Sequence, residues 1–406
     1  MRLTHLALTD FRLYARLDID ISKRTVLLVG DNAQGKSSLL EAIYYLTSFT
    51  SYQADTDRQL INFNAARQRL AVARLVADYE RSKRTHHLEV RLIQESNGAA
   101  TTPRFRREFL LDGIKKNAGE LMGHFNSVIF LPIMMRIIEG GPDERRRYLN
   151  LAISQTSAGY AQALTDYNQG LTQRNALLKQ LSDRGGDPGQ LDPWDEIVAR
   201  RGAQIILARI TALDELERIV RKVHHRLTDS GEVLRLSYQP AFDPLPGNGS
   251  QIGLPIDTTL DRSGLSLQQI QAACSARLVE LRQEEIARGV TTIGPHRDEL
   301  RFLANGVDLT SYGSRGQVRT ALLALKLAEV DWIRERTGEL PVLLLDEILA
   351  ELDNKRRSDL LEVLADCEQA ILATNDLALF KPEFIQAADC RHVADGTVSA
   401  LAEAAI

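Results

Sequence analysis

Apolar and polar residues alternate from the start of the chain. Leu3, Leu6 and Leu8 lead into Phe11-Arg12-Leu13-Tyr14, and Leu17, Ile19 and Ile21 then alternate with Arg16, Asp18 and Asp20. A period of two predicts half-buried strands. The next run, Thr25-Val26-Leu27-Leu28-Val29, has no polar side, as in a parallel strand buried on both faces. Residues 38–46 switch to a helical period, with Leu39, Leu40, Ile43 and Leu46 on one face. Past a polar, turn-rich stretch at 47–57, strands are predicted over 70–79, 85–93 and 105–111, with Asp112-Gly113 as a hairpin turn. Residues 96–103 read as an exposed loop.

The middle of the chain changes regime. After Pro132 and Gly140-Gly141-Pro142, residues 143–181 carry Tyr160, Leu164, Tyr167, Leu171 and Leu178 at helical steps. Gly185-Gly186-Asp187-Pro188-Gly189 interrupts the pattern, and 194–227 is helical again, with Ile206, Ile210, Leu213, Val220 and Leu227 near heptad spacing. At ~1.5 Å per residue the second helix would reach about 50 Å. Two such helices joined by a short loop predict an antiparallel arm, too short for a chromosome-tethering coiled coil. Leu234, Leu236 and Tyr238 suggest a strand, 240–255 a loop and 267–287 a further helix. The β pattern returns at 299–303 and 307–309 around Asn305-Gly306. A long helix follows at 317–336, a buried strand at 342–345, a helix at 353–364 and a strand at 370–373. The expected fold is α/β: a head of mixed sheet and β-hairpins formed by residues 1–135 and 290–406, with 136–289 inserted as a helical arm.

Composition adds limits. The chain has 406 residues, 44% hydrophobic and 26% charged, with a formal net charge of −4, so any contact with DNA must come from a local basic patch. Three cysteines without ligand spacing fit a reducing cytosol and argue against structural zinc. The start lacks the apolar core of a signal peptide, and no apolar run approaches the roughly 20 residues of a membrane span. A cytoplasmic protein is expected.

The chemistry centres on Gly30-Asp31-Asn32-Ala33-Gln34-Gly35-Lys36-Ser37, which fits the phosphate-binding pattern G-x-x-x-x-G-K-[ST] between a strand and a helix opened by Ser38. Gly30 and Gly35 let the backbone approach phosphate oxygens, and the helix end presents free N–H groups. Lys36 would reach the β- and γ-phosphates of ATP, and Ser37 would offer its hydroxyl to Mg²⁺. A phosphate loop needs an acidic partner, and Leu343-Leu344-Leu345-Asp346-Glu347 supplies one. Asp346 would help hold Mg²⁺, and Glu347 is the candidate base for the attacking water. Standing alone, the same pair could simply cap the next helix. Ser314-Arg315-Gly316-Gln317 opens another helix, which a plain serine N-cap also explains. One nucleotide hardly needs two cradles. In two subunits facing head to tail, each nucleotide would lie between one phosphate loop and the partner's serine.

With Glu351-Leu352-Asp353 and Thr374-Asn375-Asp376, these motifs resemble those of an ABC-type ATPase head of the SMC-like group. More narrowly, Phe11-Arg12, Gly141-Pro142-Asp143-Glu144-Arg145-Arg146-Arg147-Tyr148-Leu149, Gln173-Arg174-Asn175, Gly294-Pro295-His296-Arg297-Asp298 and Ser314-Arg315-Gly316-Gln317-Val318-Arg319 resemble the RecF family nearly end to end. The resemblance implies that Ser314, Gly316 and Gln317 form a signature motif completing the partner's ATP site. It also implies that Asp353 crosses the dimer interface and that Arg12 and Thr374 belong to the nucleotide site. It further implies an ATP-dependent homodimer that binds double-stranded DNA at gaps, hydrolyses ATP slowly, and works with RecO and RecR in loading RecA.

Three features depart from that family pattern. Ser51-Tyr52-Gln53 lacks an arginine common at its third position; Ile133-Met134 stands where an acidic pair is usual, with no glutamine recognisable there as a Q-loop; and the chain is longer than is usual for the family, through 185–189 and 240–255. Four basic groups are candidates for phosphate contact or for ordinary solvated surface: Arg104, Arg106 and Arg107; Lys115 and Lys116; Arg145 to Arg147; and Lys355 to Arg357. His296 and Arg297 could serve the ATPase core or pack the lobes. The rival readings are a related ATPase with a non-DNA or nuclease-associated role and a structural tether.

Overall fold

The computed structural model describes residues 1–96, 103–229, 231–245 and 262–401. The expected loops at 96–103 and 240–255 therefore lie largely outside the described residues. Strands are β1 (Arg2–Phe11), β2 (Tyr14–Asp20), β3 (Thr25–Val29), β4 (Leu70–Arg81), β5 (Arg84–Glu95), β6 (Arg104–Leu111), β7 (Ile114–Lys116), β8 (Ser127–Phe130), β9 (Leu234–Gln239), β10 (Glu299–Ala304), β11 (Val307–Asp308), β12 (Val342–Asp346), β13 (Ala370–Thr374), β14 (Asp389–Ala394) and β15 (Thr397–Ala400). The longer helices are α1 (Lys36–Ser48), α2 (Pro142–Thr156), α3 (Tyr160–Arg184), α4 (Asp192–Leu227), α5 (Leu267–Arg288), α6 (Arg315–Thr337) and α7 (Asn354–Asp366). The chain divides into two compact units, residues 1–134 with 329–406, and residues 135–328.

The first unit holds two six-stranded sheets. One runs β2-β1-β4-β5-β6-β7 and is antiparallel throughout. The other runs β15-β14-β3-β13-β12-β8, parallel except for the β15 edge. The predominantly apolar β3, β12 and β13 occupy its interior, as strands covered on both faces must. Helix α1 touches β4 of the first sheet and β8, β12 and β13 of the second. That double contact explains why Leu39, Leu40, Ala42, Ile43, Tyr44, Tyr45 and Leu46 are all buried, more than the single apolar face the sequence suggests. The hairpin between β4 and β5 turns at Ser82 and Lys83, with φ of 50° and 62°. Neither residue announces such a turn, so the sequence reading ended the first strand early.

The second unit is built on α2 to α5 with the small sheet β11-β10-β9. The single helical stretch expected over 143–181 is two helices, broken where Gly159 takes φ 81°. Helix α5 packs on both long helices, so the pair α3 and α4 is part of a three-helix assembly. Residues 290–328, assigned to the head from sequence, cluster with this unit. The reason is local: β10 pairs with β9, Arg145 bonds Glu299 at 2.6 Å, and Arg209 bonds Asp298 at 2.7 Å. The expected strand 307–309 stops at Asp308, whose carboxylate caps a helical turn at Leu309–Tyr312. Among the described residues no helix is long and apolar enough to cross a membrane.

Candidate nucleotide site

The phosphate loop leaves β3 under tight steric control. A Cβ on Gly30 would sit 2.2 Å from the Val393 carbonyl oxygen of β14, so only glycine fits there. Gly35 has φ +118°, the left-handed region that glycine tolerates, and its carbonyl accepts the Tyr14 hydroxyl at 3.0 Å. The turn between β14 and β15 straps the loop from outside: the Gly396 N–H donates to the Gln34 carbonyl at 3.1 Å and the Asp395 N–H to Gln34 Oε1 at 2.8 Å. Lys36, 3% exposed, donates from Nζ to the carbonyls of Gly30 at 2.7 Å and Asp31 at 2.8 Å. The loop thus wraps its own lysine and fixes where the charge points.

Parallel pairing of β12 with β13, and of β13 with β3, carries Asp346 and Glu347 to the same sheet edge. That is the edge where α/β sheets bind ligands. Asn32, Ala33, Gly35, Lys36, Ser37, Ser38, Asp346 and Glu347 line one cavity of about 350 Å³, together with Leu13, Gln53 and Pro132. The Lys36 ammonium lies 3.7 Å from the Glu347 carboxylate. Glu347 has φ 51°, a left-handed conformation that costs a non-glycine residue about 1 kcal/mol or more.

Asp346 is buried, and its Oδ1 has no hydrogen-bond partner. Burial pushes its carboxyl above the ordinary value; a hydrogen bond from Ser37 and the charge of Lys36 oppose the rise, and the Glu347 charge adds to it. A buried acceptor with no donor, beside a hydroxyl and a cavity, suits a hard cation. Among the described residues no group of three or more His, Cys, Asp or Glu could hold a metal unaided. A cation here would need oxygens from elsewhere, as Mg²⁺ takes them from phosphates and water.

Other expected residues stand outside the cavity lining. The Arg12 guanidinium is held by buried Glu41 at 2.8 and 2.9 Å, and Ser51 also bonds that carboxylate. Thr374 is buried at the end of β13, where its hydroxyl closes the turn to Asp376. Asp353 caps α7, and the Arg356 N–H bound to its carboxylate holds that carboxyl below the usual range. Ser314, Gly316 and Gln317 belong to the second unit. There Ser314 and Gln317 exchange bonds at 3.0 and 3.2 Å as a capping box at the start of α6, and Ser314 and Gly316 are exposed.

Several participants were not singled out from sequence. Tyr52 donates its hydroxyl to the Ser37 carbonyl at 3.1 Å, and burial pushes that phenol well above its usual value. Tyr14 and the Gln34 strap are equally silent in the sequence, because their partners are backbone atoms that only the fold brings close. Most of the basic groups are spoken for. Arg106 pairs with Glu95 and Glu108, Arg107 with Asp57, Lys116 with Glu120, and Arg145 with Glu299. Within the second unit His296 Nδ1 lies 2.6 Å from the Tyr167 hydroxyl, and burial pushes its pKa down to about 4.

Comparison with known proteins gives the family. The family of RecF/RecN/SMC N-terminal domains matches residues 2–384. The chain is 36% identical to the DNA replication and repair protein RecF of Chloroflexus aggregans, over 98% of this chain and 100% of that one. It is 38% identical to the RecF of Roseiflexus castenholzii, over 92% and 93%. A solved structure of the recombination mediator protein RecF with ATP, in the RecFOR pathway, is 30% identical and superposes with a TM-score of 0.81 over 99% of this chain and 98% of that one.

Proposed function

The chain belongs to the RecF family of SMC-like ABC-type ATPases, and from that premise we propose that it is an ATP-dependent DNA-binding protein of recombinational repair. It binds ATP, dimerises head to tail, clamps double-stranded DNA near gaps and, with RecO and RecR, promotes RecA loading in the cytoplasm. Slow hydrolysis then releases it. The observation that carries the reading is the unpartnered, buried Asp346 oxygen in one cavity with Lys36 and Ser37.

Each role follows from a side chain's position. Lys36 takes a phosphate oxygen in place of Glu347 as its counter-charge, while the loop N–H groups from Asn32 to Ser37 cradle the β-phosphate. Ser37 and Asp346 would hold a Mg²⁺, which would supply positive charge to offset the charge that develops on the phosphates. Glu347, released from Lys36, orients water for attack and accepts its proton. Ser314, Gly316 and Gln317 of one subunit complete the other's site, with the exposed N-terminal end of α6 turned to the γ-phosphate, and Asp353 contributes across the same interface. Arg12, held by Glu41, and Thr374, which closes the turn to Asp376, belong to the same nucleotide site.

Sedimentation with and without ATP tests this. Wild type should double in mass with ATP and then bind duplex DNA, while Lys36→Met should stay monomeric. Ser314→Arg should bind ATP nearly as well as wild type yet remain monomeric. Loss of nucleotide binding by the Ser314→Arg monomer would assign that serine to its own subunit's site and overturn the head-to-tail arrangement.

A further inference from the structure

The second unit contains a larger cavity than the nucleotide site, about 760 Å³, between the second half of α4 and strand β9. Among the described residues its walls carry Arg218, Arg221, Lys222, Arg235 and Arg262 against Asp214 and Glu217, on a chain whose net charge is −4. Arg235 is paired with Glu217 at 3.3 Å and Arg262 with Asp243 at 2.7 Å. Arg221 and Lys222 are exposed, and no carboxylate among the described residues pairs with them. The floor is apolar, formed by Ile210, Leu213 and Leu236.

The wall opposite α4 is a sheet edge. In the order β11-β10-β9, strand β9 pairs with β10 alone among the described residues. The alternation of an antiparallel ladder says which groups point outward. Val233 exchanges bonds with Asn305, so the odd-numbered positions face β10. The Tyr238 carbonyl instead accepts Arg262, a residue of the cavity wall. Leu234, Leu236 and Tyr238 therefore turn their N–H and C=O groups toward the cavity side.

We propose that this groove binds an acidic, extended peptide segment of a partner protein by strand addition to β9, with its carboxylates on Arg221 and Lys222. Alternating donors and acceptors on a strand edge are complemented by another peptide backbone. A nucleic-acid backbone offers phosphate acceptors and no row of N–H donors, so it would meet the cations and offer nothing to the outward carbonyls of Leu234 and Leu236. The apolar floor takes the alternate side chains that an extended peptide turns inward. The groove shares no lining residue with the nucleotide cavity, and the proposal goes beyond the role proposed above.

The test uses the full chain and a fluorescein-labelled peptide alternating Glu with Val, read by anisotropy. The peptide should bind, Arg221→Glu/Lys222→Glu should weaken it tenfold or more, and raised salt should weaken it further. ATP turnover of that exposed double variant should match wild type. A peptide of the same sequence N-methylated at alternate residues keeps the charge but cannot pair with β9, and it should not bind. Equal binding of the methylated peptide would overturn strand addition. Binding of a single- or double-stranded oligonucleotide lost in the same double variant, with no peptide binding, would overturn the choice of partner.

Discussion

Two clusters, one in each unit, each set a buried cation near a buried aspartate and have opposite characters. At the nucleotide cavity, Lys36 is held by carbonyls, Asp346 keeps an oxygen with no partner, and Glu347 sits in a left-handed conformation. In the second unit Arg209, 1% exposed, bonds the Pro295 carbonyl, Asp298, Asn150 and the Tyr160 hydroxyl. Asp298 in turn accepts Tyr238 and the Ala241 N–H. Every polar group there is answered from within, whereas the first cluster has an unmet demand and an open side. Buried charge alone does not mark a working site, since a satisfied pair is framework. The unmet acceptor beside a cavity is what marks a place for a ligand.

The contrast can be broken by substitution. Glu347→Gln should cut ATP turnover by a factor on the order of 10² to 10⁴, the range for a lost positioned base, and leave thermal stability near wild type. Turnover within threefold of wild type would remove Glu347 from the reaction. Arg209→Met should do the reverse. It strands the Asp298 carboxylate in the interior, a loss of about 3–5 kcal/mol measurable by urea unfolding. A loss below ~1 kcal/mol would mean that the second cluster is not framework.

A smaller effect comes from acid. His296 is held neutral, with its pKa lowered from 6.5 to about 4, so the unfolded chain takes up its proton first as pH falls. Its contribution is complete above pH 6.5 and declines as pH drops from there toward 4, by at most roughly 3 kcal/mol. His296→Gln should flatten that part of the stability profile, and an unchanged slope would contradict the neutral assignment. The smallest effect belongs to Asp346→Asn. Because burial already disfavours its charge, neutralising it should leave stability unchanged or raise it by less than about 1 kcal/mol.

The same contrast explains what was legible in the sequence. Gly30 to Ser37 and the strand ending in Asp346-Glu347 are contiguous, so their chemistry can be read locally, and the α/β fold with mixed sheet and hairpins follows from the period changes. Arg209 looks like any polar position on a long helix, because its partners at 150, 160, 295 and 298 lie far away in sequence. For the same reason residues 290–328 read as part of the head: what ties them to the second unit is pairing with β9 and buried ion pairs, none of it periodic. Leu13, Gln53 and Pro132 reach the cavity from three separate turns, and no periodicity in the sequence groups them into its lining.

The central claim is that the unpartnered Asp346 oxygen is the cation's place at the ATP site. Calorimetric titration of ATP into wild type and Asp346→Asn, each with Mg²⁺ and with EDTA, tests it, with melting of both proteins without nucleotide run in parallel. Mg²⁺ should tighten ATP binding to wild type tenfold or more and should have little effect on the variant, whose unliganded melting temperature should not fall. An Asp346→Asn protein that keeps the full Mg²⁺ enhancement and melts several degrees lower would make Asp346 part of the framework and contradict the account.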